Sequence, residues 1–262
     1  MKLYHGITSV CSIKVRVGLA ELGLDYDEEI LDLQNGDQQN PDYLKLNRNG
    51  VVPTLVDGDL MLVESSLILE YIDRTYNAGG LMPKTPALEA AARLWLLRCL
   101  DIHAAINTLT FSTVMRDRIT ASKTPEEIAA SLAKMPNPVM RMKRKDLFDN
   151  GLGSGYVTEA LVQLRRAFGD MDAALAQGDW VSGQDFGITD IALVSYIDRL
   201  ERLGFQGLWA DTPRVGTWLA AMQARPAVDK EMAGRIDAGG AAKMRAAGLR
   251  HWPTLEKAWR AL

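Results

Sequence analysis

Residues 51 to 66 read VVPTLVDGDLMLVESS, and few folds accommodate such a run. Two β-rich segments flank Asp57-Gly58, which marks a hairpin, and the segment after it turns helical. Pro53 heads the first strand, where a residue without an N–H fits only an edge, a strand start or a bend. A cis Val52-Pro53 bond accounts for it, because cis peptides are nearly confined to X-Pro and mark tight turns. An edge strand with a trans proline accounts for the same residues. In the bent form the N–H and C=O of Val52 leave the sheet and can pair with a peptide-like ligand. Glu64-Ser65 stands where the hairpin ends and a helix begins. Free N–H groups and a hydroxyl there suit a carboxylate, or serve as a plain N-cap.

The flanking sequence predicts the rest of a small α/β unit. KLYH is a strand, and SIKVRVGLAELG is a helix with Ile13, Val15, Val17, Leu19 and Leu22 facing a sheet and Gly23 stopping it. EEILDL is a second strand, Asn40-Pro41 opens a short helix, and ESSLILEYIDRTY closes the unit. The order is β-α-β-α-β-β-α over residues 1–80. After the linker NAGGLMPKTPALE the character turns helical through residues 86–262, and two domains follow. TPEEIAASLAKM carries a capping box of Thr124 and Glu127. PNPVMRMKRKDLFDNGLGSG reads as a loop with a short helix, and the tail from Asp237 as partly helical and loosely attached.

Composition removes several partners. A net charge of −3 and a pI of about 5.7 argue against nucleic acid as the main partner. No apolar run has the length of a membrane span, and MKLYHGITS lacks the apolar core of a signal peptide. Cys11 and Cys99 make no disulfide framework, and His5, His103 and His251 form no metal-ligand spacing. The expectation is a cytoplasmic protein with no metal and no membrane partner. TSVCSIKVR, residues 8–16, gathers Thr8, Ser9, Cys11 and Ser12 where a helix starts, either as caps or to handle an anion. Cys11 is a candidate thiolate or a small buried hydrophobe; Cys99, amid an apolar helical face, is read as core.

Taken together, the sheet-helix order, VPTL, the hairpin, ESSLILEYID and the later WVSGQDFGITDIALVSYIDRL resemble the cytosolic glutathione transferases over residues 1 to about 230. That resemblance implies a thioredoxin-like N-terminal domain and an all-α C-terminal domain carrying the electrophile pocket. It also implies a homodimer, with glutathione as co-substrate. On this pattern Val52 pairs with the cysteinyl part of glutathione beside cis Pro53. Glu64 faces the γ-glutamyl ammonium, and Ser65 with its helix start takes the carboxylate. Val51 replaces the family's usual Gln or Lys, and Gln38 or Gln39 is the candidate replacement for the lost glycyl contact. Gly187 stands where a Ser or Thr normally caps, so only the Asp190 half of that capping box is expected.

The opening stretch is similar to zeta-class maleylacetoacetate isomerases and to tetrachlorohydroquinone reductive dehalogenases. Ser12-Ile13-Lys14 also matches the glutathione-dependent β-etherases. Carried over, Ser9, Cys11 and Ser12 are the candidate catalytic residues. A hydroxyl there can donate to the glutathione thiolate, while an exposed Cys11 thiolate can attack a glutathionyl adduct. The implied reaction is conjugation, isomerisation, ether cleavage or reductive dehalogenation of a small electrophile, often aromatic, in detoxification or aromatic degradation. A non-catalytic ligand carrier or stress protein of the same fold is the alternative. Arg116 and Arg118 either line the electrophile pocket or belong to a solvated face.

Overall fold

A computed structural model describes residues 1–135 and 137–262; Pro136, inside the basic stretch, lies outside the described residues. The N-terminal unit runs β1 (Lys2–His5), α1 (Val10–Glu21), β2 (Asp27–Ile30), α2 (Pro41–Leu46), β3 (Thr54–Asp57), β4 (Leu60–Val63) and α3 (Ser65–Tyr76). The sheet order is β2-β1-β3-β4, with β1 parallel to β2 and antiparallel to β3. Leu3 sits opposite Leu55 and Leu55 opposite Leu62, which puts one apolar row on the helix side. The hairpin turns at Gly58-Asp59, one residue beyond the Asp57-Gly58 expected, and Gly58 takes φ +59°.

α1 departs from the one-sided helix expected. It is enclosed by α3 and two C-terminal helices, α9 (Ile188–Arg202) and α11 (Pro226–Glu231), so Lys14 and Arg16 are buried with the apolar residues. Arg16 is satisfied by Glu231 Oε2 at 3.1 Å, by His5 Nδ1 at 3.1 Å and by the carbonyls of Gly6, Ile7 and Glu231. Gly18 is needed for the close approach of α3, since a Cβ there would meet Leu69 at 2.4 Å.

The C-terminal unit opens with α4 (Pro86–Thr110), which runs through a π turn at Phe111–Met115 into α5 (Arg116–Ser122). α6 (Pro125–Ala133) begins with the Thr124–Glu127 capping box. α7 (Pro138–Asn150) is a full helix where a loop with a short helix was expected. It buries only Leu147, so no apolar stripe announced it; Asn137, accepting from the Val139 and Met140 N–H groups, starts it. α8 (Gly155–Leu175) and α9 pack on α4 to form the helical core.

The capping of α9 answers the Gly187 departure. Asp190 accepts from the N–H groups of Val181 (2.8 Å), Ser182 (3.4 Å) and Gly187 (3.1 Å) and from Trp218 Nε1 (2.8 Å). A Cβ at 187 would meet Ser182 Oγ at 2.6 Å and the Leu81 carbonyl oxygen at 2.8 Å, so the place of a capping side chain is already filled.

α10 (Pro213–Gln223) and α11 precede α12 (Ala238–Leu249) and α13 (Trp252–Arg260). The tail is not loosely attached, as the sequence suggested. Leu255 and Trp259 are buried, Trp259 packs on Phe168, and Trp252 stacks on Phe205 at 6.1 Å. Gly207 and Gly248 provide the contact surfaces: a Cβ would meet Trp252 at 2.1 Å and the Leu203 carbonyl oxygen at 2.0 Å. Among the described residues no helix is long and apolar enough to cross a membrane, and no group of three or more His, Cys, Asp or Glu could hold a metal.

Candidate active site

Three chain starts converge at the junction of the two units: α1, β3 and α3. At α1 the polar residues divide their tasks. Ser9 is the N-cap, its hydroxyl accepting from the Ser12 N–H at 3.3 Å. Ser12 is fully buried, with its hydroxyl accepting from the Gly6 N–H at 3.3 Å. Cys11 is half-buried and looks toward the helical unit, with Sγ 3.7 Å from Tyr196 Oη. Ser12 therefore shapes the loop between β1 and α1, Ser9 caps, and the thiol is the group at the junction.

At β3 the Val52-Pro53 peptide is cis and Pro53 is buried. The Val51 carbonyl is held by Tyr43 Oη at 2.6 Å and Asn47 Nδ2 at 2.8 Å, and Tyr43 Oη also meets Thr54 Oγ1 at 2.9 Å. Val51 itself is exposed. Among the described residues none hydrogen-bonds the Val52 N–H or C=O. Val52 is half-buried and lies just before β3, with its amide and carbonyl free of those partners.

At α3, Glu64 holds φ +72° and ψ 108°, an unusual conformation for a residue with a side chain. Such strain, about 1–3 kcal/mol, persists where surroundings impose it and clusters at ligand sites. Its carboxylate is exposed and does not cap the helix. Ser65 follows at the first helical position, nearly buried, where unpaired N–H groups and the helix dipole favour an anion. Gln39, at the end of a short 3₁₀ turn, is exposed, whereas the neighbouring Gln38 turns inward and its buried Oε1 has no partner.

The helical unit contributes residues that sequence reasoning missed. His103 on α4 and Tyr196 on α9 lie with ring centres 6.2 Å apart, above Cys11. Lys14, one turn along α1, donates to Ser66 Oγ at 3.0 Å and stands 4.8 Å from the Tyr196 ring centre. Burial pushes the Cys11 thiol up, but His103, the Lys14 charge and the Tyr196 hydroxyl outweigh it and bring the pKa from 9.0 to about 7. Burial alone would lower His103, yet the facing thiolate raises it on balance. Burial and the Cys11 charge together push the Tyr196 phenol well up, so it stays protonated as a donor. One signal was available: His103 follows Cys99 by four residues on an otherwise apolar face.

Other candidates fall outside the junction. Arg116 donates to the Phe148 carbonyl at 2.9 Å and pins the end of α7, while Arg118 is exposed against Met115. Cys99 is buried in the core as expected.

These features define a thioredoxin-like strand edge joined to an all-helical partner. The sequence profile for the glutathione S-transferase N-terminal domain matches residues 1–74, and that for its C-terminal domain matches residues 154–221. The chain belongs to the glutathione transferase superfamily and is a glutathione S-transferase-like enzyme, with glutathione as its co-substrate. It is 26% identical over 231 residues to a tetrachloro-p-hydroquinone reductive dehalogenase of Sphingobium chlorophenolicum, covering 86% of this chain and 92% of that one. It is 29% identical over 219 residues to glutathione S-transferase GstB of Escherichia coli, covering 83% and 90%. Among solved structures, β-etherase LigF from Sphingobium shares the fold with a TM-score of 0.76 at 22% identity, covering 89% of this chain and 98% of that one. A theta-class glutathione S-transferase from Xanthomonas axonopodis pv. citri, with glutathione bound, aligns with a TM-score of 0.63 at 26% identity, covering 88% and 96%.

Proposed function

We propose that the chain binds glutathione along the Val52 edge and turns its sulfur on a small, often aromatic electrophile, with Cys11 removing glutathione from the adduct. Val52 N–H and C=O pair with the cysteinyl residue, as strand addition requires. The Ser65 hydroxyl and the start of α3 take the γ-glutamyl carboxylate, and Glu64 faces its ammonium. Exposed Gln39 is the candidate for the glycyl end. The sulfur then sits over the start of α1, where helix N–H groups favour its anion by about 0.3–1 kcal/mol.

In the first step the glutathione thiolate displaces a leaving group, such as halide or aryloxide, forming a carbon–sulfur bond. In the second, the Cys11 thiolate attacks the glutathionyl sulfur. A sulfur–sulfur bond forms, and the carbon–sulfur bond breaks with its electron pair left on carbon, which takes a proton. A second glutathione thiolate attacks the mixed disulfide, frees Cys11 and leaves as glutathione disulfide. Ether cleavage or conjugation needs only the first step, and reductive dehalogenation needs all three.

The observation that carries this reading is the free Val52 amide lying between two helix starts, with a half-buried thiol at one of them. Exposed Leu60, Met61 and Leu67 on β4 and α3, and Leu94, Leu97 and Leu100 on α4, leave apolar surface that a second copy of the chain would cover. The test is retention on glutathione resin combined with turnover of maleylacetone, a chlorohydroquinone and a β-aryl ether by wild type, Cys11→Ala, Ser9→Ala and Ser12→Ala. Dehalogenation that stalls at a glutathionyl intermediate only in Cys11→Ala supports the reading. Retention without turnover of any substrate would make the chain a carrier.

A further inference from the structure

Two cations of α1 are fully buried, and their surroundings differ. Arg16 has Glu231 Oε2 at 3.1 Å, the His5 ring and three carbonyls. Lys14 has no carboxylate within 4 Å among the described residues. Its Nζ donates to Ser66 Oγ at 3.0 Å and stands 4.8 Å from the centre of the Tyr196 ring. An ammonium withdrawn from water keeps its charge at a cost that a nearby anion offsets. The hydrogen bond sets the direction in which that anion lies. Ser66 is the second residue of α3, half-buried, and it turns a lone pair to Lys14. Its own proton therefore points away from the ammonium, and among the described residues no atom accepts it. Ser65 stands beside it, at the turn whose unpaired N–H groups favour an anion. Glu64, the acid preceding this turn, is exposed and lies more than 4 Å from Lys14.

We propose that Lys14 is a positioning residue for the γ-glutamyl carboxylate of glutathione, acting through Ser66. The inference rests on the glutathione site proposed above and places a fixed positive charge behind it. The contact runs one way: Lys14 Nζ donates to Ser66 Oγ, and the Ser66 O–H donates outward to a carboxylate oxygen. A hydroxyl that accepts from a cation is polarised into a stronger donor. Lys14 itself stays sealed between α1, Ser66 of α3 and Tyr196 of α9, out of reach of the ligand. Its charge acts across a low-dielectric interior, where salt screens it little. A bare helix start accepts any group with a lone pair; a buried ammonium behind it selects for a full negative charge. The sealed position also separates two effects of that charge. In the empty protein it is uncompensated and destabilises the fold, and with glutathione bound it is neutralised.

The test is a calorimetric cycle with two ligands: glutathione, and γ-aminobutyryl-cysteinylglycine, which lacks only the γ-glutamyl carboxylate. Both are titrated into wild type, Lys14→Met and Ser66→Ala, each as the whole chain. Lys14→Met should weaken glutathione at least about fivefold and leave the analogue within about twofold. Ser66→Ala should shift the ratio of the two affinities in the same direction. Methionine fills the space without a charge, so free Lys14→Met should melt at or above the wild-type Tm. Glutathione should then raise its Tm less than it raises that of wild type. A residue that only braced the fold would lower Tm and weaken both ligands alike, and that result overturns the proposal. So does an unchanged glutathione affinity in either folded variant; Ser66→Ala decides alone if Lys14→Met does not fold. In those cases wild type still binds glutathione and the site itself stands. Wild type that binds neither ligand would sink the glutathione site, and the role of Lys14 with it.

Discussion

At α1 the three candidate side chains have separable consequences. Ser12→Ala removes the acceptor of the buried Gly6 N–H, which costs about 1–3 kcal/mol. Urea unfolding should register that loss, while glutathione affinity stays within about twofold because the hydroxyl is spent on the loop. Cys11→Ala should leave stability within about 1 kcal/mol and abolish only the steps that need a thiolate. Their rate should rise with pH up to about 7 and level off above it, because a thiol pKa lowered from 9.0 puts the thiolate above that value. The strained residue before α3 gives opposite signs for stability and binding. Glu64→Gly relieves the backbone at φ +72° and should raise Tm by a few degrees, yet weaken glutathione binding by removing the carboxylate facing the ammonium. Calorimetric scans with and without glutathione check both directions.

Helices and strands were legible where a local rule governs them. Asn40 and Thr124 each cap a helix through a side-chain oxygen, and the β3–β4 hairpin formed within a residue of its Asp-Gly signal. α7 was missed because it buries one residue and carries its cap on Asn137, beside the Pro136 position outside the described residues. α1 was misjudged because helices far along the chain cover the face that a lone α/β unit would leave wet. The α9 cap is the element whose loss should be felt most. Asp190→Ala would leave the N–H groups of Val181, Ser182 and Gly187 and the Trp218 indole without their acceptor inside the protein. Several unsatisfied buried donors at about 1–3 kcal/mol each should cost at least 3 kcal/mol. Denaturant midpoints compared with those of Trp259→Ala, expected at about 3–5 kcal/mol from the lost tail packing, rank the two. A midpoint for Asp190→Ala equal to wild type would contradict the cap.

The whole molecule works because two units meet at one seam. From sequence, the strand edge, Glu64 and Ser65 could be placed, since they lie within one run of sixteen residues, 51 to 66. His103 and Tyr196 could not, because they lie 92 and 185 residues beyond Cys11 and carry no motif linking them to it. The apolar surface on β4, α3 and α4 belongs to this scale too. Sedimentation should show a dimer for wild type, and Leu67→Glu should drive it toward monomer without unfolding it. The central claim, that glutathione lies along Val52 with its acidic head at the start of α3, is tested most directly by calorimetric titration of glutathione into wild type and Ser65→Ala. A charge-assisted hydrogen bond of about 1.5–3 kcal/mol predicts at least a tenfold weaker Kd for Ser65→Ala, with Tm of the free proteins alike. Equal affinities in two equally folded proteins would contradict it.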